Sequence, residues 1–143
     1  MNAPETDYLF RIIFDDIDRA NHESDHFSIH DDTDKFEDIE VIVDDYVNCH
    51  INFDAFSERI DDLDVLPFEY WNETEEDFLF RIIGESLLVA NASSDHYPLE
   101  EDPDKHFFVN NIVRRYVQKH IDFKAFKAEI TNYDVVPCEY WTT

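Results

Sequence analysis

Glycine is almost missing from this chain: among 143 residues only Gly84 occurs. Phosphate-cradling loops and dinucleotide fingerprints need glycines where backbone closely approaches a ligand, so neither a P-loop nor a Rossmann-type site can be built. Cysteine is nearly as scarce. Cys49 and Cys138 form no C-x-x-C pair, which argues against a disulfide framework and a thiol-redox motif. Basic residues are few, 11 Lys and Arg against 35 Asp and Glu, for a net charge of -24. Such a chain is repelled by nucleic acid and by anionic membranes and is attracted to basic proteins. No apolar run approaches the roughly 18 residues of a membrane helix. The acidic opening Met1 to Asp7 lacks the basic and apolar regions of a signal peptide, so the expected home is the cytoplasm.

What the chain does hold is one pattern written twice. Residues 2–71 and 72–141 align without a gap, and 32 of the 70 aligned positions are identical. LFRII recurs at Leu9 and Leu79, Ser-Asp-His at Ser24 and Ser94, and both copies close on Asp-Val-x-Pro-x-Glu-Tyr-Trp. The two cysteines break the pattern, with Lys119 and Phe68 at the matching positions, and Gly84 matches Phe14. With 43% hydrophobic and 15% aromatic residues, the acid does not signal disorder. Modules of about 70 residues are near the lower limit for a self-sufficient core. The expected fold is therefore all-α, a tandem duplication of a three-helix module, with repeat 1 over 2–71 and repeat 2 over 72–141 packed together in one compact unit.

Asn2 or Asn72, with Glu5 or Glu75 three residues later, reads as a helix-start box. Leu9, Ile12, Ile13 and Ile17, matched by Leu79, Ile82, Ile83 and Leu87, predict a buried stripe on a first helix over about 4–20. A long acidic loop follows from Asn21 to about Asp32. Ile39, Ile42, Val43, Tyr46, Val47 and His50 predict a second helix, with His50 and His120 on its apolar face. Asn52 or Asp122 caps a short third helix carrying Phe53, Phe56 and Ile60 on one side. The tail around Tyr70 and Trp71 reads as irregular or extended.

Catalytic chemistry is hard to place. Serine sits in no nucleophile elbow, and carboxylate pairs such as Asp15–Asp16 and Asp31–Asp32 are expected by abundance among 35 acids. His22, His26 and His30, four apart beside Asp25 and Asp31, have metal-like spacing, but the second copy reads Ala92, His96 and Glu100. A solvated acidic loop explains them, so no catalytic residue, metal or cofactor is expected and the chain is not expected to be an enzyme.

Charge is what separates the copies: Asp44 and Asp45 stand where Arg114 and Arg115 do, and Asp54 where Lys124 does. Helix two of copy one displays Asp34, Glu37, Asp38, Glu40, Asp44 and Asp45. Residues four apart on a helix rise about 6 Å, comparable with the 3.4 Å per step of phosphates along a winding strand. Together with Asp15, Asp16 and Asp18 on helix one, Asp31 and Asp32 before helix two, and Asp61, Asp62 and Asp64 after helix three, copy one offers a broad anionic surface for a protein partner. The matching stretch of copy two carries Phe107, Phe108, Asn110, Asn111, Arg114 and Arg115. These residues are expected either to cover copy one across a pseudo-two-fold axis, the arginines pairing its carboxylates, or to anchor a partner or a second chain in a homodimer.

In size, acidity, helix content and want of catalytic groups the chain resembles the class of acidic inhibitors: DNA-mimic anti-restriction proteins, small phage anti-CRISPR proteins and immunity proteins of nuclease toxins. The stretch Thr74 to Phe78 is similar to the first helix of nuclease-colicin immunity proteins, whose paired tyrosine motif is absent here. The analogy is one of class and transfers no residues. It implies an inhibitor that blocks the basic nucleic-acid-binding site of a target protein, in the cytoplasm of a bacterial host if phage-borne. The alternative is a non-enzymatic scaffold or adaptor that binds a protein through Phe107, Phe108, Arg114 and Arg115.

Overall fold

The computed structural model describes residues 3–23, 29–66, 68–71, 73–92 and 99–141, and these are all-helical, with no strand among them. Six α-helices run in the order α1 Ala3–Glu23, α2 Thr33–Val47, α3 Phe53–Asp62, α4 Glu75–Ala92, α5 Pro103–Val117 and α6 Phe123–Asn132. The chain divides into two compact units, Met1–Glu73 and Thr74–Thr143, where one was expected. Each unit closes its own core. In the first, Ile13 and Ile17 of α1, Ile39 and Val43 of α2, and Phe56 and Ile60 of α3 are all fully buried. In the second, Ile83, Leu87, Val113, Phe126 and Ile130 are buried to the same degree. Aromatic stacking reinforces each core, with Tyr46 on Phe56 and Tyr116 on Phe126 at 4.5 Å between ring centres.

Short polar side chains start the helices. Asp32 and Asp102 accept from the backbone N–H of Lys35 and Lys105 at 3.1 and 3.0 Å, and Asn52 and Asp122 from Ala55 and Ala125 at 2.9 and 2.8 Å. Helix α4 is capped by Thr74, whose hydroxyl accepts from Asp77 N–H at 3.2 Å. The cap expected at Asn72 lies outside the described residues, as does Asn2. The tails are 3-10 turns, Phe68–Trp71 and Cys138–Trp141, and not extended segments. Trp71 and Trp141 set their rings edge-on against Phe56 and Phe126 at 5.6 and 5.7 Å, which folds each tail back over its core.

Helix two stops at Val47, earlier than its periodicity suggests, and this overturns the burial expected of His50 and His120. Cys49 and Lys119 take left-handed φ values of 64° and 65°. The N–H of Cys49 bonds to the carbonyl of Tyr46 at 3.0 Å and that of His50 to Asp45 at 2.8 Å, the paired closure of a Schellman cap. The reversal swings residue 50 out to solvent, where His50 Nδ1 lies 3.5 Å from Asp45 Oδ1. His120 is exposed in the same way.

Candidate protein-binding surface

The buried side of α2 is set by Ile39, Ile42, Val43 and Val47. At 100° per residue, the opposite side collects Asp34, Glu37, Asp38, Val41, Asp44 and Asp45 into one stripe with Val41 at its middle. All are exposed except Asp45, which is half-buried. Val41 itself is 60% exposed, an apolar spot framed by carboxylates one turn before and one turn after it. Glu40 flanks the stripe, half-buried. Among the described residues, no ion pair engages Asp34, Glu37, Asp38 or Glu40. Asp45 is paired, to Arg59 at 3.8 Å as well as to His50, and Asp44 accepts from the Asn48 amide at 3.1 Å.

Asp44 and Asp45 occupy the last turn of α2, which contains no basic residue. The carbonyl end of a helix repels negative charge, at a cost of about 0.3–1 kcal/mol per residue. The same turn of α5 carries Arg114 and Arg115, as the dipole favours. The first unit thus carries acid in a turn whose dipole disfavours it, with Asp45 offset by Arg59 and Asp44 by the Asn48 amide.

The remaining acids divide. Asp31, Asp61, Asp62 and Asp64 are exposed, and Asp32 is engaged as the α2 cap. Asp16 is withdrawn from the surface: it is 5% exposed, accepts from Tyr70 Oη and pairs with Arg19 at 2.8 Å. It holds the tail to α1 and leaves the candidate surface. In the second unit the same tyrosine, Tyr140, meets the Ser86 hydroxyl at 2.8 Å. Asp15 and Asp18 line an open cleft of about 380 Å³ with Arg19 and His22, all on α1. Burial pushes the Asp15 carboxyl above its ordinary value, against the attraction of Arg11. Of the candidate metal histidines, His26 lies outside the described residues, His22 is exposed at the end of α1, and no metal-capable cluster forms among the described residues.

On α5, Phe107 and Phe108 are 62% and 47% exposed, the second stacked on Tyr133 at 6.1 Å. Arg114 bonds Glu76 at 3.1 Å and Asp77 at 3.4 Å and lies 4.0 Å over the Phe80 ring, while Arg115 bonds Glu129 at 2.8 Å. The acids of α4 and α6 thus engage both guanidinium groups inside the second unit. No protein-family model matches the chain, and no curated protein or solved structure is significantly similar to it.

Proposed function

We propose that this protein is an acidic inhibitor, a tandem duplication of a three-helix module whose first copy blocks the basic nucleic-acid-binding site of a target protein. The reading rests on one observation: Asp34, Glu37, Asp38 and Asp44 of the α2 stripe face solvent, the last of them in a final turn that holds no basic residue. Charge kept where the fold disfavours it points to a role outside the fold. Asp31, Asp61, Asp62 and Asp64 widen the surface around it. The work is binding without catalysis or cofactor, in the cytoplasm of the cell that holds the target. Electrostatic steering would make the complex form fast and weaken as salt rises.

Affinity capture of the tagged chain from bacterial lysate at low salt, followed by a salt gradient and mass spectrometry, tests this. The expected result is a nuclease or nucleic-acid-binding protein that elutes as salt rises and is lost when Asp44 and Asp45 become lysine. A partner that resists salt and survives that change, but is lost with F107A/F108A, would replace this reading with the adaptor one. The exposure of Phe107 and Phe108 is what keeps the adaptor reading in view.

A further inference from the structure

The same helical positions carry opposite chemistry in the two units. On α2 they give Val41 framed by Glu37, Asp38, Asp44 and Asp45; on α5 they give Phe107 and Phe108, followed about two turns later by Arg114 and Arg115. Beyond the end of α5, Lys119, Lys124 and Lys127 are exposed. Aromatic and arginine side chains are the types that anchor interfaces, and an exposed phenylalanine pair is not an idle surface. Its complement is present on every molecule: an apolar centre ringed by acid.

We propose that the α5 stripe of one chain docks on the α2 stripe of a second copy. Phe107 and Phe108 cover Val41, while the exposed Lys119, Lys124 and Lys127 meet the carboxylates of α2. Charge complementarity selects this occupant, since a purely apolar partner would leave both the acid frame and the lysines unanswered. The net charge of -24 opposes association at a distance. At physiological ionic strength the screening length is about 8 Å, so the groups in contact dominate, and these are of opposite sign. The contact joins two different faces, so it closes into a dimer where the second pair also meets and extends head to tail where it does not. It requires no target protein, and because it covers the α2 stripe a target would have to displace the second copy to reach it.

Sedimentation equilibrium on the full chain over a range of concentration and salt tests it, with circular dichroism confirming that each variant is folded. The wild type is expected to self-associate reversibly, with a dissociation constant that rises roughly tenfold or more from physiological to high salt, where the contact pairs themselves are screened. F107A/F108A should be monomeric. So should E37K/D38K, although it removes net negative charge and would strengthen any association limited by overall repulsion. Each variant keeps the face the other has lost, so an equimolar mixture should form a one-to-one complex. A wild type that stays monomeric at submillimolar concentration overturns the proposal. So does undiminished association of E37K/D38K, which would mean that α5 meets something other than α2, or a mixture that remains monomeric.

Discussion

Asn21, buried in the last turns of α1, donates its amide to the carbonyl of Val65 at 2.8 Å, across 44 residues of chain. The same side chain accepts from the N–H of Ile29 at 3.0 Å. One residue therefore ties the segment before α2 and the segment after α3 to the end of α1. Asn91 repeats both bonds at 2.8 Å, to Val135 and Leu99.

Replacing Asn21 or Asn91 with alanine leaves a buried backbone N–H and a buried carbonyl without these bonds, at about 1–3 kcal/mol for each group orphaned. Urea unfolding should show a loss of a few kcal/mol for either variant, large against the total stability of a unit this small. A loss below about 0.5 kcal/mol would show that water replaces the amide and that the tie is incidental.

Gly84 sits inside α4, and a Cβ built there meets no atom within 4 Å. Gly84→Ala should therefore stabilise the second unit by about 1 kcal/mol, because helix-interior glycine costs that much relative to alanine. Thermal unfolding should shift up by a few degrees. A decrease would contradict the open space around the site.

Cys49 and Lys119 bear left-handed φ values that glycine adopts without steric penalty, and the chain spends its only glycine elsewhere. Cys49→Gly and Lys119→Gly should each add up to about 1 kcal/mol, the relief of Cβ strain less the extra entropy of the unfolded chain. Asp64 and Asp134, at 58° and 54°, should gain less, since aspartate tolerates this region better. Chemical denaturation of the four variants orders them.

Asp15 holds its proton more tightly in the folded state than in the unfolded chain, because burial raises its pKa from 3.8. Acid therefore favours the fold at this site, and the cost of ionisation is complete once pH exceeds the raised value. Asp15→Asn should remove that dependence, gaining on the wild type as pH rises from below 3.8 toward neutrality. Stability curves that stay parallel across this range would refute the assignment. The α2 stripe should be untouched by the change.

Much of this was legible in the residues. The stripe Leu9, Ile12, Ile13 and Ile17 is buried as its period demands, and Asn52 and Asp122 cap α3 and α6 because a short polar side chain before an apolar run has few better uses. The candidate surface was half legible. Asp34, Glu37, Asp38 and Asp44 follow from helical spacing against a known apolar face, but Asp16 looked like its neighbours, and nothing local announces that Tyr70 would claim it. Val41 was missed because a valine beside Ile42 and Val43 reads as core. Yet the same helical spacing that turns Asp38 and Asp44 outward places Val41 between them.

The order of apolar and polar residues by itself determined that the chain is helical, where most helices begin, and which sides of them seek burial, because each depends on contacts within a few residues. It also determined the charge contrast between the two halves of the chain. The tertiary structure decided which polar groups are spent on folding, such as Asn21, Asp16, Arg114 and Arg115, and which remain outward, such as Glu37, Asp38 and Phe107. That division turns on partners 14 to 54 residues away, among them Glu129 for Arg115 and Tyr70 for Asp16. A hydrogen bond or ion pair at that range depends on how helices cross, and no local spacing encodes it.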